Sequence, residues 1–139
     1  MSLRTLGAVL KFTLDIEQLA ITFYETAVTK TKNQELIEVI SSLIKYGNKR
    51  IKKVKRIRRE NTTEMILEPI KDLESEPFQL EAQPKTWDDN SIKEHAKLIE
   101  LKIAEFYTVA ASKVSFLGEV AYNFEQLAES HHDSSKMIV

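Results

Sequence analysis

The sequence predicts an all-α fold, four helices arranged as two antiparallel hairpins joined by a long crossover. Gly and Pro number only three each, too few for a sheet protein with many tight turns. Apolar residues recur at three-and-four spacing over four long stretches, as they do on the buried faces of helices. All three prolines fall between Pro69 and Asn90, so the helix breakers are concentrated in one connection.

The first helix is expected over 5–29, with Leu10, Thr13, Glu17, Ala20, Tyr24 and Ala27 on one face, widened by Phe12, Ile16, Leu19 and Phe23. A short polar loop, 30–33, follows, and Thr31-x-x-Gln34 reads as a capping box for the second helix. That helix carries Leu36, Ile40, Leu43, Ile44, Gly47, Ile51, Val54 and Ile57 on its inner stripe and is expected to run past Glu60 toward Leu67. The crossover, 68–90, is unusually long for a compact unit and suits a bundle whose two hairpins must be bridged. Ser91-x-x-Glu94 reads as the capping box of the third helix, which extends to about Lys113. Gly118 marks the next turn, and Val120, Phe124, Leu127, Ala128, His131, Ser135 and Ile138 form the inner stripe of the fourth. The division is therefore hairpin one 5–67, crossover 68–90 and hairpin two 91–139, within one domain of 139 residues.

Composition narrows the function. Hydrophobic residues make up 42% and charged residues 29%, the profile of a soluble globular chain. With no Cys, disulfides, thiolate nucleophiles, Cys-ligated zinc and iron–sulfur clusters are excluded. The formal net charge of −1 gives no global attraction to nucleic acid or membrane. No apolar run reaches the roughly 20 residues of a membrane span, and no signal peptide is evident, so a cytoplasmic location is the default expectation. Gly-rich phosphate loops and a Ser/His/Asp triad are not evident.

The two hairpins repeat a pattern. Ile16-Glu17 followed by Phe23-Tyr24 matches Ile99-Glu100 followed by Phe106-Tyr107, and Ala27 matches Ala110 at the same offset. Identities this regular within matching helices point to duplication. With Glu17 and Glu100 on inner faces, this pattern resembles the rubrerythrin-like branch of the ferritin-like superfamily over nearly the whole chain. The resemblance implies a ferritin-like four-helix bundle. In it, helices one and three each give a Glu and, two turns on, a Tyr to a central di-iron site, while helices two and four each give Glu-x-x-His. It further implies iron or another divalent metal as cofactor and peroxide, oxygen or iron handling as activity. A separate protein would donate electrons, since no rubredoxin-like module is encoded.

Glu17 with Tyr24 and Glu100 with Tyr107 fit that pattern; helices two and four depart from it. Aligning the hairpins on Leu43 and Leu127 places Gly47 and His131 where carboxylates are expected, and Arg50 and Ser134 where imidazoles are expected. Helix four does contain Glu129-x-x-His132, but using it would turn the helix by about 200° and take Phe124, Leu127 and Ala128 out of the core, against burial worth about 1.5–3 kcal/mol per large side chain. His131 is thus the inward candidate. The residual metal set is Glu17, Glu100 and His131, set against the plainer reading of His131 as a hydrogen-bonded core residue.

Two inward carboxylates demand compensation. A single metal ion, protonation of one Glu, or an inward Arg50 replacing the metal charge would each supply it, and the sequence favours the last. Two functions stay open. One is a ferritin-like protein with an incomplete, weak or mononuclear metal site. The other is a metal-free bundle acting as a binding or structural module, with Arg50 in the former pocket and a homodimer as the expected assembly.

The segment 45–59 holds nine Lys or Arg and no acid. It reads either as a polyanion-binding strip or as a solvated helix face neutralised by the acidic stretch 60–89 folding back over it. The sequence favours the second. Trp87 is expected to pin the crossover onto the bundle. His95 is expected at the surface or in a cap, and His132 and Asp133 in solvent.

Overall fold

A computed structural model of the chain describes residues 1–65 and 69–139, leaving aside the Glu64 side chain. Among the described residues it is a four-helix bundle without strands. The helices are α1 (Leu6–Lys30), α2 (Gln34–Glu60), α3 (Asp89–Lys113) and α4 (Gly118–Lys136). Their most extensive packing is α1 on α2 and α3 on α4, with narrower contacts between α1 and α3 and between α2 and α4. No helix is long and apolar enough to cross a membrane among the described residues.

Three of the four helix starts are set by short polar side chains that accept otherwise unpaired N–H groups, and α4, which starts after Leu117, has no such cap. Thr5 Oγ1 accepts from Ala8 N at 3.0 Å. The other two caps differ from the expected capping boxes. Asn33, not Thr31, caps α2, accepting from Leu36 N at 3.2 Å. Thr31 closes α1 instead, its N–H bonded to the Ala27 carbonyl, and its hydroxyl donates to Asp89 Oδ1 at 2.6 Å. Asp88, not Ser91, caps α3, accepting from Ser91 N at 2.9 Å. For α2 the Asx side chain next to the helix outcompetes a hydroxyl farther out, and α3 begins two residues before Ser91, which therefore lies in its first turn.

The predicted inner stripes become one core that all four helices share. On α2 the stripe is narrower than expected: Ile44 and Ile51 are half-buried, while Arg50 is buried. That helix ends at Glu60 rather than continuing, closed by Asn61, whose Nδ2 donates to the Ile57 carbonyl at 2.8 Å. A single 3-10 turn, Thr62–Glu64, follows. The expected continuation to Leu67 and the start of the crossover at 68 fall partly outside the described residues.

The rest of the crossover is docked. Ile70 and Leu73 are buried beside Leu3, and backbone bonds from Leu3 N to Leu73 O (2.8 Å) and from Ile70 N to Arg4 O (3.2 Å) tie it to the N-terminal residues. Phe78 packs edge-on against Phe106 at 5.2 Å. Trp87 stacks on Phe23 at 5.7 Å, in keeping with the pinning role read from the sequence. His95 departs from its expected exposure. It is buried, its ring 4.7 Å from that of Phe23, and its Nε2 lies 2.9 Å from the Glu81 carbonyl. It is a second pin, and sequence position near a helix start gave no sign of it.

Gly47 sets how closely α1 and α2 approach. A Cβ there would lie 2.9 Å from Ile21 Cγ1 and 3.2 Å from Cδ1. Ile21, itself buried, thus fills the space beside Gly47 in which a longer side chain would have to stand. Ala normally gains about 1 kcal/mol over Gly in a helix interior, but overpacking costs about 1–3 kcal/mol. Gly47→Ala is expected to lower stability in the native background and to raise it by about 1 kcal/mol in Ile21→Ala. Chemical denaturation of the four proteins of this cycle measures it, and additive effects would reject the contact.

Candidate functional site

At the centre of the bundle each helix contributes polar groups to one buried cluster. Glu17 and Tyr24 come from α1, Arg50 from α2, Glu100 and Tyr107 from α3, and Ser130, His131 and Ser134 from α4. Glu17, Glu100, His131, Tyr24 and Tyr107 are all at most 1% exposed. The three residues of the predicted metal set, Glu17, Glu100 and His131, do converge. Glu129, His132 and Asp133 are exposed, so the hydrophobic register of α4 prevailed over the Glu-x-x-His motif.

His131 lies between the two carboxylates. Its Nδ1 is 2.8 Å from Glu100 Oε1 and its Nε2 is 2.9 Å from Glu17 Oε2. A neutral imidazole has one N–H and would turn a lone pair toward one of these anions, whereas an imidazolium donates to both. Each tyrosine reaches the glutamate of the other half of the molecule: Tyr24 Oη donates to Glu100 Oε2 at 2.6 Å, and Tyr107 Oη to Glu17 Oε2 at 2.8 Å. The repeated pattern therefore closes reciprocally around His131.

Arg50 supplies the second positive charge. Its Nη1 is 3.7 Å from Glu100 Oε1. Its Nε donates to Ser130 Oγ and its Nη2 to the Ser130 carbonyl, both at 3.0 Å, and Nη2 also donates to Ser134 Oγ. The two serines, one helical turn apart on α4, hold the guanidinium toward Glu100 and not toward Glu17. No buried side-chain nitrogen or oxygen among the described residues lacks a hydrogen-bond partner.

The electrostatics follow from this geometry. Burial pushes the Glu100 carboxyl up, but His131, with Arg50 and Tyr24, more than reverses this and holds it below its usual value. Burial pushes the His131 imidazolium down, and Glu17 and Glu100 on either side more than reverse it, so its pKa is raised. Burial, then the adjacent carboxylate, raises both Tyr24 and Tyr107 well above the phenol range. With two carboxylates, one imidazolium and one guanidinium, the charges of the cluster cancel.

The donor set does not fit a metal centre in this arrangement. Lone pairs that would converge on a cation face N–H and O–H donors instead, and the space beside Gly47 on α2 is closed by Ile21. Among the described residues no group of three or more His, Cys, Asp or Glu side chains is disposed to hold a metal ion. The sequence pattern identified Glu17, Glu100, His131 and Arg50. It did not reveal that the tyrosines cross over, nor that Ser130 and Ser134 anchor Arg50. The spacing of Ser130 and Ser134 about His131 was the available signal.

The cluster makes stability depend on pH in a defined sense. His131, with its folded pKa above the ordinary 6.5, contributes fully below that value, and the contribution is lost as pH rises through the folded pKa. Glu100, with its folded pKa below 4.5, contributes above that value and loses its contribution as pH falls through the folded pKa. The melting temperature is therefore expected to be highest between those two ordinary values, with separate acid and alkaline limbs. His131→Gln is expected to cost about 3–5 kcal/mol, as for one partner removed from a buried ion cluster, and to abolish the alkaline limb. Arg50→Met is expected to move the acid limb to higher pH. Thermal melts from pH 3 to 10 test both, and a native profile without an alkaline limb would refute the imidazolium. No family model, curated protein or solved structure matches this chain.

Proposed function

We propose that this chain is a ferritin-like bundle of two antiparallel hairpins whose central metal charges are replaced by side-chain cations, leaving a metal-free binding module. The observation that carries this reading is the bridging of Glu17 and Glu100 by both ring nitrogens of His131. A lone carboxylate pair at this depth would cost several kcal/mol per ion, and a divalent cation is one remedy. His131 and Arg50 are another, built from the chain itself. The di-iron pattern requires a carboxylate on α2, where Gly47 stands, and an imidazole one turn on, where Arg50 stands.

The competing reading, a weak mononuclear site at Glu17, Glu100 and His131 taking iron or another divalent ion, would require His131 to lose a proton and leave its place between the carboxylates. Arg50 beside Glu100 opposes a further cation there. The bundle is thus a scaffold: the cluster fixes the register of its helices, and its chemistry with partners is on its outer faces.

The test pairs stoichiometry with protonation. After incubation with Fe(II), Mn(II) or Zn(II) and desalting, elemental analysis is expected to find no metal retained per chain. Nitrogen-15 NMR is expected to show both His131 ring nitrogens protonated at pH 7, unchanged by those ions. One metal per chain, lost in Glu17→Gln together with a deprotonated His131, would establish the mononuclear site instead.

A further inference from the structure

The outward face of α2 carries a positive charge that is neutralised at only one point among the described residues. Within 45–59 every Lys and Arg except Arg50 and the half-buried Lys53 is exposed. Lys45, Lys49, Lys52, Arg56 and Arg59 follow one another at three- or four-residue intervals, so they form a single stripe about 21 Å long at 1.5 Å per residue. Among the described residues the only ion pair formed by this stripe is Arg56 with Glu60, at 3.7 Å.

Among the described residues no ion pair joins the crossover from 69 to 88 to the stripe. The crossover side chains pack on α1 and α3 through Phe78 and Trp87. Glu74 accepts from Ser2 Oγ, while Asp88 caps α3 and Asp89 receives Thr31. Of the acidic stretch 60–89 expected to neutralise the segment, Glu60 alone pairs with the stripe among the described residues. Burial, then the neighbouring Arg56 guanidinium, pushes the Lys53 ammonium below its usual value.

Two exposed aromatic rings border this face. Tyr46 of α2 is 40% exposed and Tyr122 of α4 is 59% exposed. Lys49 Nζ lies 5.8 Å from the Tyr46 ring centre. Lys53 Nζ donates to Gln126 Oε1 at 2.8 Å, and Gln126 Nε2 donates to Tyr122 Oη at 3.0 Å, which fixes Tyr122 beside the cations. Between α2 and α4 runs a shallow groove of about 170 Å³, lined by Tyr46, Lys49, Lys53, Gln126 and Ser130 with Arg50 beneath. Asp133 stands near Tyr46 at one end.

We propose that this face docks a single-stranded nucleic acid, its phosphates along the α2 stripe and its bases against Tyr46 and Tyr122. Cations in a row supply the sequence-independent attraction to phosphate, and exposed rings beside them stack on unpaired bases. A duplex keeps its base faces stacked inside and leaves the tyrosines without a role. A lipid surface would require an apolar helix face to insert, and the apolar face of α2 is in the core. The inference rests on the reading of the bundle as a binding module, but not on the state of its core.

Fluorescence anisotropy of the full chain with a labelled 20-nucleotide oligo(U) or oligo(dT) tests it. Binding at 50 mM salt is expected to weaken about 50-fold at 200 mM, the response to about four phosphate contacts with a single strand. Tyr46→Ala and Tyr122→Ala are each expected to weaken it roughly tenfold. The exposed triple variant Lys49→Gln, Lys52→Gln, Arg56→Gln is expected to bind weakly, with a shallower salt dependence and an unchanged pH–melting profile. No binding at 50 mM salt overturns the proposal, as does duplex preferred to single strand, indifference to both tyrosine substitutions, or equal affinity for polyglutamate or phosphatidylserine vesicles. Metal content measured on the same samples keeps the two readings separate: metal uptake would overturn the metal-free core and leave this face untouched, and failure to bind oligonucleotide would do the reverse.

Discussion

Two carboxylates buried at the centre of the bundle are the constraint around which the rest is arranged. Taken alone, each would be expelled from the interior or protonated. His131 answers both with one ring, and Arg50 answers Glu100 with a second charge. Each answer sets a further requirement. The ring must sit midway between α1 and α3, which fixes the rotation of α4. The guanidinium must enter between α2 and α4, which Ser130 and Ser134 make possible. Replacing such a cluster by apolar residues of similar volume is often neutral or stabilising, so its contribution is better sought in register than in net stability. A slip of α4 by one residue turns it by about 100° and removes His131 from both partners.

The tyrosines show how the repeated pattern shapes this centre. Equivalent residues on α1 and α3 do not bond within their own halves; Tyr24 reaches Glu100 and Tyr107 reaches Glu17. Breaking either half would take a tyrosine hydroxyl from the carboxylate of the other and a carboxylate from its phenol. The reciprocal bonds join α1 to α3 across a contact that is narrower than the packing of either helix on its chain neighbour.

What was legible in the sequence was whatever depends on periodicity. The stripes of all four helices, the inward turn of Glu17, Glu100 and His131, and the outward turn of Glu129 and His132 follow from which faces are apolar, because burial of several large side chains outweighs any one motif. Arg50 was legible as a cation at an inward position, but not its choice of partner, since Glu17 and Glu100 are equivalent in the repeat. That choice rests on Ser130 and Ser134, which lie on another helix. The caps at Asn33 and Asp88 were misread because two polar residues compete within a few positions and local geometry decides. His95 and the docked crossover depend on contacts between distant segments, to Glu81, Phe23 and the residues before α1, and no local pattern encodes those.

The two faces of α2 impose opposite demands, and the outer one is the harder to explain by folding alone. Like charges at three- and four-residue spacing cost a few tenths of a kcal/mol per pair, and the stripe from Lys45 to Arg59 repeats that spacing along its length. The helix dipole favours cations near a C-terminus, but only within the last turn, which covers Arg58 and Arg59 and not Lys45, Lys49 or Lys52. Solubility is served equally by mixed charges, and with a net charge of −1 the chain has acids to place there. Among the described residues only Glu60 is paired with a cation of the stripe. A helix that tolerates this repulsion with one counter-charge, Glu60, among the described residues fits the proposal that a negative charge arrives from outside, and under that proposal the two tyrosines at its edge restrict which anion it is.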